Sequence, residues 1–289
     1  IRRSDNVLIQ GEIPYNFINR IQQVKYKLNP YIVKVAEELE VRGIAVGKFK
    51  PITYHEVPPK PFDIDTNVEA RKEWKRGKTN ALNLQAAEVR KSCRTRMTMT
   101  CVREFKDVDF FIPWSFDYRG RVYPIPAFLT PQDTDFGKSL LSFAKGARIN
   151  AQGMKWIKFQ LATTYGLDKA TMEERIAWID DPVNRELVER VFYNPIDNIA
   201  DWENADEPWQ FLAACCEYCE LHFEHRFHTH LPVAIDATCS GLQILAGLAK
   251  DKSTAKIVNV VGSNKPQDAY KLIAETSVDH IPQRLRPYW

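Results

Sequence analysis

The sequence predicts an α+β fold, on three observations. Apolar residues recur at three- and four-residue spacing through much of the chain, which is the helical period. Short apolar or aromatic runs at 110–114 and 231–235 have strand length and stand apart from the helical segments. The composition, 44% hydrophobic and 27% charged over 289 residues, is that of ordinary globular domains and excludes disorder, collagen or coiled coil for the bulk of the chain. That length allows one large domain or two to three small ones.

The elements follow in order. Segments 13–27 and 30–41 read as helices, with Ile21 and Val24, then Ile32, Val33, Val35 and Ala36 at helical spacing. Asn29-Pro30 suits a kink or a helix start, Asn as N-cap and Pro at the first helical position. Segment 43–65 carries Pro51, Pro58, Pro59 and Pro61 and reads as an extended connector. Asn67 opens a long basic helix toward Lys106, with a possible break near Gly77. Residues 110–114 suit a buried strand, and 118–123 a turn followed by a strand. A helical region begins at 137–147, and 151–165 and 172–179 read as further helices. The acidic stretch to Glu207 reads as irregular and exposed, 209–225 as an amphipathic helix, and 231–236 as an apolar strand ending on a carboxylate. A helix at 242–249, a strand at 256–261 and a helix at 267–278 complete the reading. No repeat or low-complexity tract interrupts it.

Charge is segregated although the whole chain carries only +3. Residues 71–106 hold eleven Lys/Arg against three Glu, a net +8, and residues 171–208 hold eleven Asp/Glu against three Arg, a net −8. A dense basic stretch can neutralise phosphates, or it can be a solvated helix face. No apolar run reaches the roughly 20 residues needed to span a bilayer, so no membrane partner is expected. Six unevenly spaced Cys read as reduced thiols in a cytoplasmic setting rather than a disulfide framework. The chain does not begin with Met and reads as a piece of something longer.

Asp236 is the first candidate for chemistry. A carboxylate at a strand end among small residues can hold Mg²⁺ against a phosphate, or it can cap the helix that follows. Two-metal phosphoryl transfer would require a second carboxylate. In Asp117-Tyr118-Arg119-Gly120-Arg121-Val122-Tyr123, Gly permits a tight turn, Arg pairs with phosphate as a fork, and Tyr118 can stack on a base; an Asp117–Arg ion pair on an exposed hairpin is the alternative. Lys138, Lys145 and Lys169 are possible phosphate contacts or solvated surface. Cys216 and Cys219 form a CxxC followed by His222, His225, His228 and His230. The residue types suit zinc, but the spacing places the Cys pair within one helical pattern, where core packing with Glu217 facing solvent is the reading.

These residues, taken together, resemble the single-subunit, bacteriophage-type DNA-directed RNA polymerases, closer to the phage branch than to the mitochondrial one. The resemblance runs in order through His55-Glu56-Val57-Pro58-Pro59-Lys60-Pro61-Phe62-Asp63-Ile64-Asp65 with Trp74-Lys75-Arg76, then Asp117 to Tyr123, then Pro131-Gln132 with Lys138 and Ala144-Lys145-Gly146. It continues through Gly166-Leu167-Asp168-Lys169 with Glu174-Arg175-Ile176 to Asp236-Ala237-Thr238-Cys239-Ser240-Gly241-Leu242-Gln243. It implies a right-hand polymerase piece: the end of an amino-terminal region (1–24), a helical thumb (25–109), the first part of an antiparallel-sheet palm (110–252) and the start of the fingers (253–289). It implies templated transfer from ribonucleoside triphosphates on a DNA template, with nascent RNA and the rest of the polymerase chain as further partners and two Mg²⁺ ions as cofactors.

The resemblance also implies roles. Asp236 is one of two metal-binding aspartates, and the carbonyl of Ala237, where relatives usually have Gly, is a further ligand. Arg119 and Arg121 line the cleft near the hybrid, with Arg121 also near the nucleotide and Tyr118 and Lys138 near nucleic acid. Lys169 contacts the triphosphate, and Tyr270 is an aromatic close to the active site. Lys75, Arg76, Lys78 and Arg94 grip phosphates from the thumb. The family's second catalytic Asp, beside a His, and its fingers Lys and Tyr are not visible before Trp289, so the isolated chain is expected to bind nucleic acid weakly and not to polymerise. A polymerase-derived, non-catalytic nucleic-acid-binding module is the alternative.

Overall fold

The computed structural model describes residues 11–224, 226–262, 265–278 and 280. The mixed α+β class is as expected. α1 (Glu12–Gln22) lays Ile18 and Ile21 on the core. The helix expected to run on to residue 27 stops there, and β1 (Lys25–Leu28) follows. The reason is period two: Tyr26 and Leu28 point inward while Lys25 and Lys27 alternate with them. Asn29 then caps α2 (Pro30–Arg42), its Oδ1 accepting from Tyr31 N at 3.1 Å and Ile32 N at 3.3 Å, with Pro30 at the first position. Gly43, at φ 68°, ends the helix.

α3 (Val68–Phe105) is one unbroken 38-residue helix of about 57 Å, with no interruption at Gly77. The Pro-rich segment before it runs back along it as a strap. Lys50 N donates to Thr95 Oγ1, His55 N to Gln85 Oε1, and Trp74 Nε1 to Pro58 O. A Cβ at Gly77 would sit 3.1 Å from Pro58 Cγ, so the small residue lets the strap lie close instead of breaking the helix. Met99 and Val102, near the carboxyl end of α3, enter the main core, and the amino-terminal half extends beyond it.

β1 is the middle strand of an antiparallel sheet, flanked by β2 (Phe110–Phe111) and, later in the chain, Leu141–Phe143. The expected strand at 110–114 is cut by Pro113, and β3 (Trp114–Phe116) pairs instead with β4 (Val122–Pro124) as a hairpin. The helix expected from residue 137 is only α4 (Asp135–Ser139); β5 (Leu141–Phe143) and β6 (Ala147–Arg148) follow it. α5 (Ala151–Tyr165) matches its expected bounds, and α6 (Met172–Ala177) ends in a 3₁₀ turn.

The acidic stretch is not irregular. It contains α7 (Pro182–Tyr193), which buries Val188 and Val191, and it leads to the fully buried Trp202. α8 (Pro208–His222) is not amphipathic either: α2, α4, α5 and α7 surround it, and nearly every residue is buried, Glu217 included. Its Trp209 meets Phe136 at 4.6 Å and Phe49 at 5.0 Å between ring centroids. Asp135 closes its amino end, accepting from Trp209 N and Gln210 N. β7 (His228–Thr229) pairs with β6.

The expected strand ending at Asp236 does not form. Ile235 is 75% exposed, Pro232 cannot donate, and no described strand offers the segment a partner. α9 (Ser240–Ala249), α10 (Lys252–Ile257) and α11 (Ala269–Val278) end the described chain. α10 replaces the strand expected at 256–261 because Asp251 caps it, accepting from Ser253 N at 3.0 Å. Ala246, Ala255, Val258 and Ala269 form a small second core, separate from the main one. The main core joins residues on both sides of 109/110, and β1 pairs with β5 across that point.

Candidate active site and nucleic-acid face

Residues 231–239 reach from the main core to α9 without a ladder, and this leaves the carboxylate of Asp236 exposed. Its Oδ1 accepts from Ala237 N at 2.8 Å. The N-cap of α9 is Cys239, with no side-chain capping bond, so Asp236 does not cap that helix. Among the described residues no cation pairs with Asp236, and the carbonyl of the exposed Ala237 accepts no hydrogen bond. A carboxylate oxygen and an adjacent carbonyl, both open to solvent, are the donor type a hard divalent cation takes, and they fit as part of an oxygen shell.

Of two further candidate residues, Tyr270 touches this loop and Lys169 meets the start of the Tyr270 helix. Tyr270, on α11, lies with its hydroxyl 3.7 Å from Cys239 Sγ, and that contact raises the phenol's pKa. Lys169 Nζ lies 3.2 Å from Asp168 and 3.7 Å from Asp268, two residues before Tyr270; Asp168 first, then Asp268, hold the ammonium above its ordinary pKa. Asp268 Oδ1 accepts from Tyr270 N and Lys271 N, both at 3.1 Å. Asp268 is not among the residues singled out from the sequence; an acidic residue in the first turn of the helix expected at 267–278 is the signal that marks it.

The remaining candidates lie on other elements. Asp117 organises the β3–β4 hairpin: it accepts from Arg119 N and Arg121 N at 2.9 Å and pairs with the Arg119 guanidinium at 2.8 Å, while Gly120 takes φ 81°. Desolvation pushes the Asp117 carboxyl up, but the Arg121 and Arg119 donors outweigh it and the net pKa is lowered. Arg119 is thus engaged in the ion pair, whereas the Arg121 guanidinium has no ion pair among the described residues and Tyr118 is 89% exposed. Lys138 borders an apolar cavity of about 230 Å³, walled on one side by Leu231 to Ala234, just before Asp236. Lys75, Arg76 and Lys78 lie on the protruding half of α3, Lys78 over the Trp74 ring at 5.1 Å. Arg94 instead pairs at 2.5 Å with the buried carboxylate of Asp133 and so fastens α3 to the fold. No hydrogen bond or ion pair among the described residues joins the hairpin or α3 to the Asp236 loop.

The Cys/His alternative fares differently. Cys215, Cys216 and Cys219 are buried in α8, and desolvation pushes the Cys219 thiol up to about 12, which disfavours the thiolate zinc needs. Glu217, expected at the surface, accepts from His230 N at 3.1 Å in the interior. His222 stacks on Tyr218, and His230 Nδ1 contacts Phe143 O at 2.7 Å. His225 lies outside the described residues. Among the described residues, no three metal-ligating side chains gather, and no helix is long and apolar enough to cross a membrane.

A family model described as DNA-dependent RNA polymerase matches residues 147–286, which include the Asp236 loop, Lys169 and Tyr270. The DNA-directed RNA polymerase of Enterobacteria phage T3 is 34% identical over 264 residues, covering 90% of this chain and 29% of the relative. T7 RNA polymerase of Escherichia phage T7 is 33% identical, covering 90% of this chain and 29% of its own length. A mitochondrial DNA-directed RNA polymerase of Neurospora crassa is 31% identical, covering 90% and 18%. The chain spans less than a third of the length of these relatives. The family match over residues 147–286 and the relatives over nine-tenths of the chain point the same way: the chain is similar to the single-subunit, phage-type DNA-directed RNA polymerases.

Proposed function

We propose that this chain forms part of a polymerase that transfers nucleotides from ribonucleoside triphosphates to a growing RNA on a DNA template. The observation that carries the reading is the Asp236 loop: an open carboxylate and carbonyl, with Lys169 and Tyr270 tied to the same neighbourhood. In this reading Asp236 and the Ala237 carbonyl hold a divalent ion, which when bound neutralises charge on the reacting phosphate. Lys169 meets the triphosphate, exchanging its Asp268 contact for phosphate oxygens. Tyr270 borders the nucleotide. The β3–β4 hairpin offers Arg121 and Tyr118 to nucleic acid, and α3 offers Lys75, Arg76 and Lys78 as a thumb along the hybrid. A second carboxylate is needed for a two-metal step and comes from elsewhere in the polymerase.

The test is Asp236→Asn in the polymerase that contains this segment. Elongation falls by at least about a thousandfold while template binding changes less than about twofold. Substantial retained synthesis sinks the catalytic assignment.

A further inference from the structure

One side chain joins the Asp236 loop to the start of the Tyr270 helix, although the two are far apart in sequence. Asn259 follows α10 at φ 63°, a left-handed position that Asn tolerates and that often ends helices. Its amide, however, makes no local bond. Oδ1 accepts from Gln267 N at 2.7 Å, and Nδ2 donates to Gln267 O at 2.8 Å and toward Thr238 Oγ1 at 3.4 Å. Thr238 lies two residues past Asp236, and Gln243 Nε2 reaches both Thr238 Oγ1 at 3.1 Å and Val258 O at 2.8 Å. On the other side, Gln267 precedes Asp268, which receives the first N–H groups of α11 and pairs with Lys169. The single sulfur contact between Cys239 and Tyr270 is too weak to fix that spacing by itself.

We infer that Asn259 is a positioning residue: its amide clamps residues 267–270 against the loop after Asp236, so that Tyr270 and Lys169 keep register with the metal-holding oxygens. What the positioned groups do rests on the proposed polymerase reading; the clamp itself does not. It also gives Thr238 and Gln243 a task within the 236–243 motif.

Asn259→Gly keeps the left-handed backbone and removes the amide, while Asn259→Asp keeps the acceptor for Gln267 N and loses both donated bonds. Iodoacetamide alkylation of Cys239 in the 289-residue chain, followed by peptide mass spectrometry, reads the clamp, with exposed Cys93 as standard and buried Cys215 and Cys219 as reporters of unfolding. Cys239 reacts about tenfold faster in Asn259→Gly, at an intermediate rate in Asn259→Asp, and the other thiols are unchanged. An unchanged Cys239 rate, or a rise shared with the buried thiols, overturns the inference. In the polymerase containing this segment, Asn259→Gly raises KM for ribonucleoside triphosphate about tenfold with kcat within about twofold; unaltered KM also overturns it. If the parent polymerase makes no RNA at all, the catalytic reading fails, and the Cys239 rates still decide the clamp.

Discussion

Asp117 shows how one side chain sets a local conformation and a pH response. Its carboxylate closes the hairpin by accepting from Arg119 and Arg121, and these donors lower its pKa in the fold against the desolvation that raises it. A depressed folded pKa contributes stability that is present above the ordinary carboxylate value, about 4, and is lost as pH falls through the lower folded value. The amide resonances of Gly120 and Arg121 therefore stay fixed from pH 7 to about 4 and move only below it. Hairpin loosening at pH 5 contradicts the account. At this scale the sequence was readable where the chemistry is local: Asn29 and Asn67 cap the helices expected of them. It was not readable where a side chain's partner lies far along the chain. Arg94 looked like one more thumb cation, and only the fold brings the buried Asp133 to it.

At the scale of elements, α3 divides into an anchored end and a free one. Met99, Val102 and Arg94 hold the carboxyl-terminal part, while Lys75, Arg76 and Lys78 project from the part along which the strap runs. Neutralising those three lowers the slope of log affinity against log salt by about 2–3 for duplex or hybrid. Arg94→Ala leaves that slope nearly unchanged and costs about 2 kcal/mol of stability, read by urea unfolding, because the buried Asp133 carboxylate keeps its Leu129 and Thr134 N–H donors but loses its cation. An unchanged slope in the triple variant removes the thumb contact. Long helices with clear caps were legible from residue spacing. Strands are less so: Lys25 to Leu28 blends into the helical pattern before it because its alternation spans only four residues, and the run before Asp236 has strand composition but no partner strand among the described residues. α8 read as amphipathic because periodicity cannot report how many neighbours will cover a helix.

Over the whole molecule, the main core and the small C-terminal core carry different parts of the proposed site. Lys169 follows α5, on the main core, whereas Cys239, three residues past Asp236, packs on the alanine-lined second core, and Tyr270 follows Ala269, which is part of it. The proposed site thus draws on several elements, with Lys169–Asp268 reaching from the main core and Asn259–Gln267 acting within the C-terminal part. The motif at 236–243 was legible as a patch of chemistry, but its assembly with residues 169 and 270 rested on resemblance, since spacing of that length encodes no contact. The most direct measurement of the central claim is Mn²⁺-induced broadening of amide resonances in the presence of a ribonucleoside triphosphate. The account predicts broadening centred on Ala237 and Thr238, reaching Lys169 and Tyr270, and lost in Asp236→Asn. Broadening that persists in that variant, or that centres away from the loop, contradicts it.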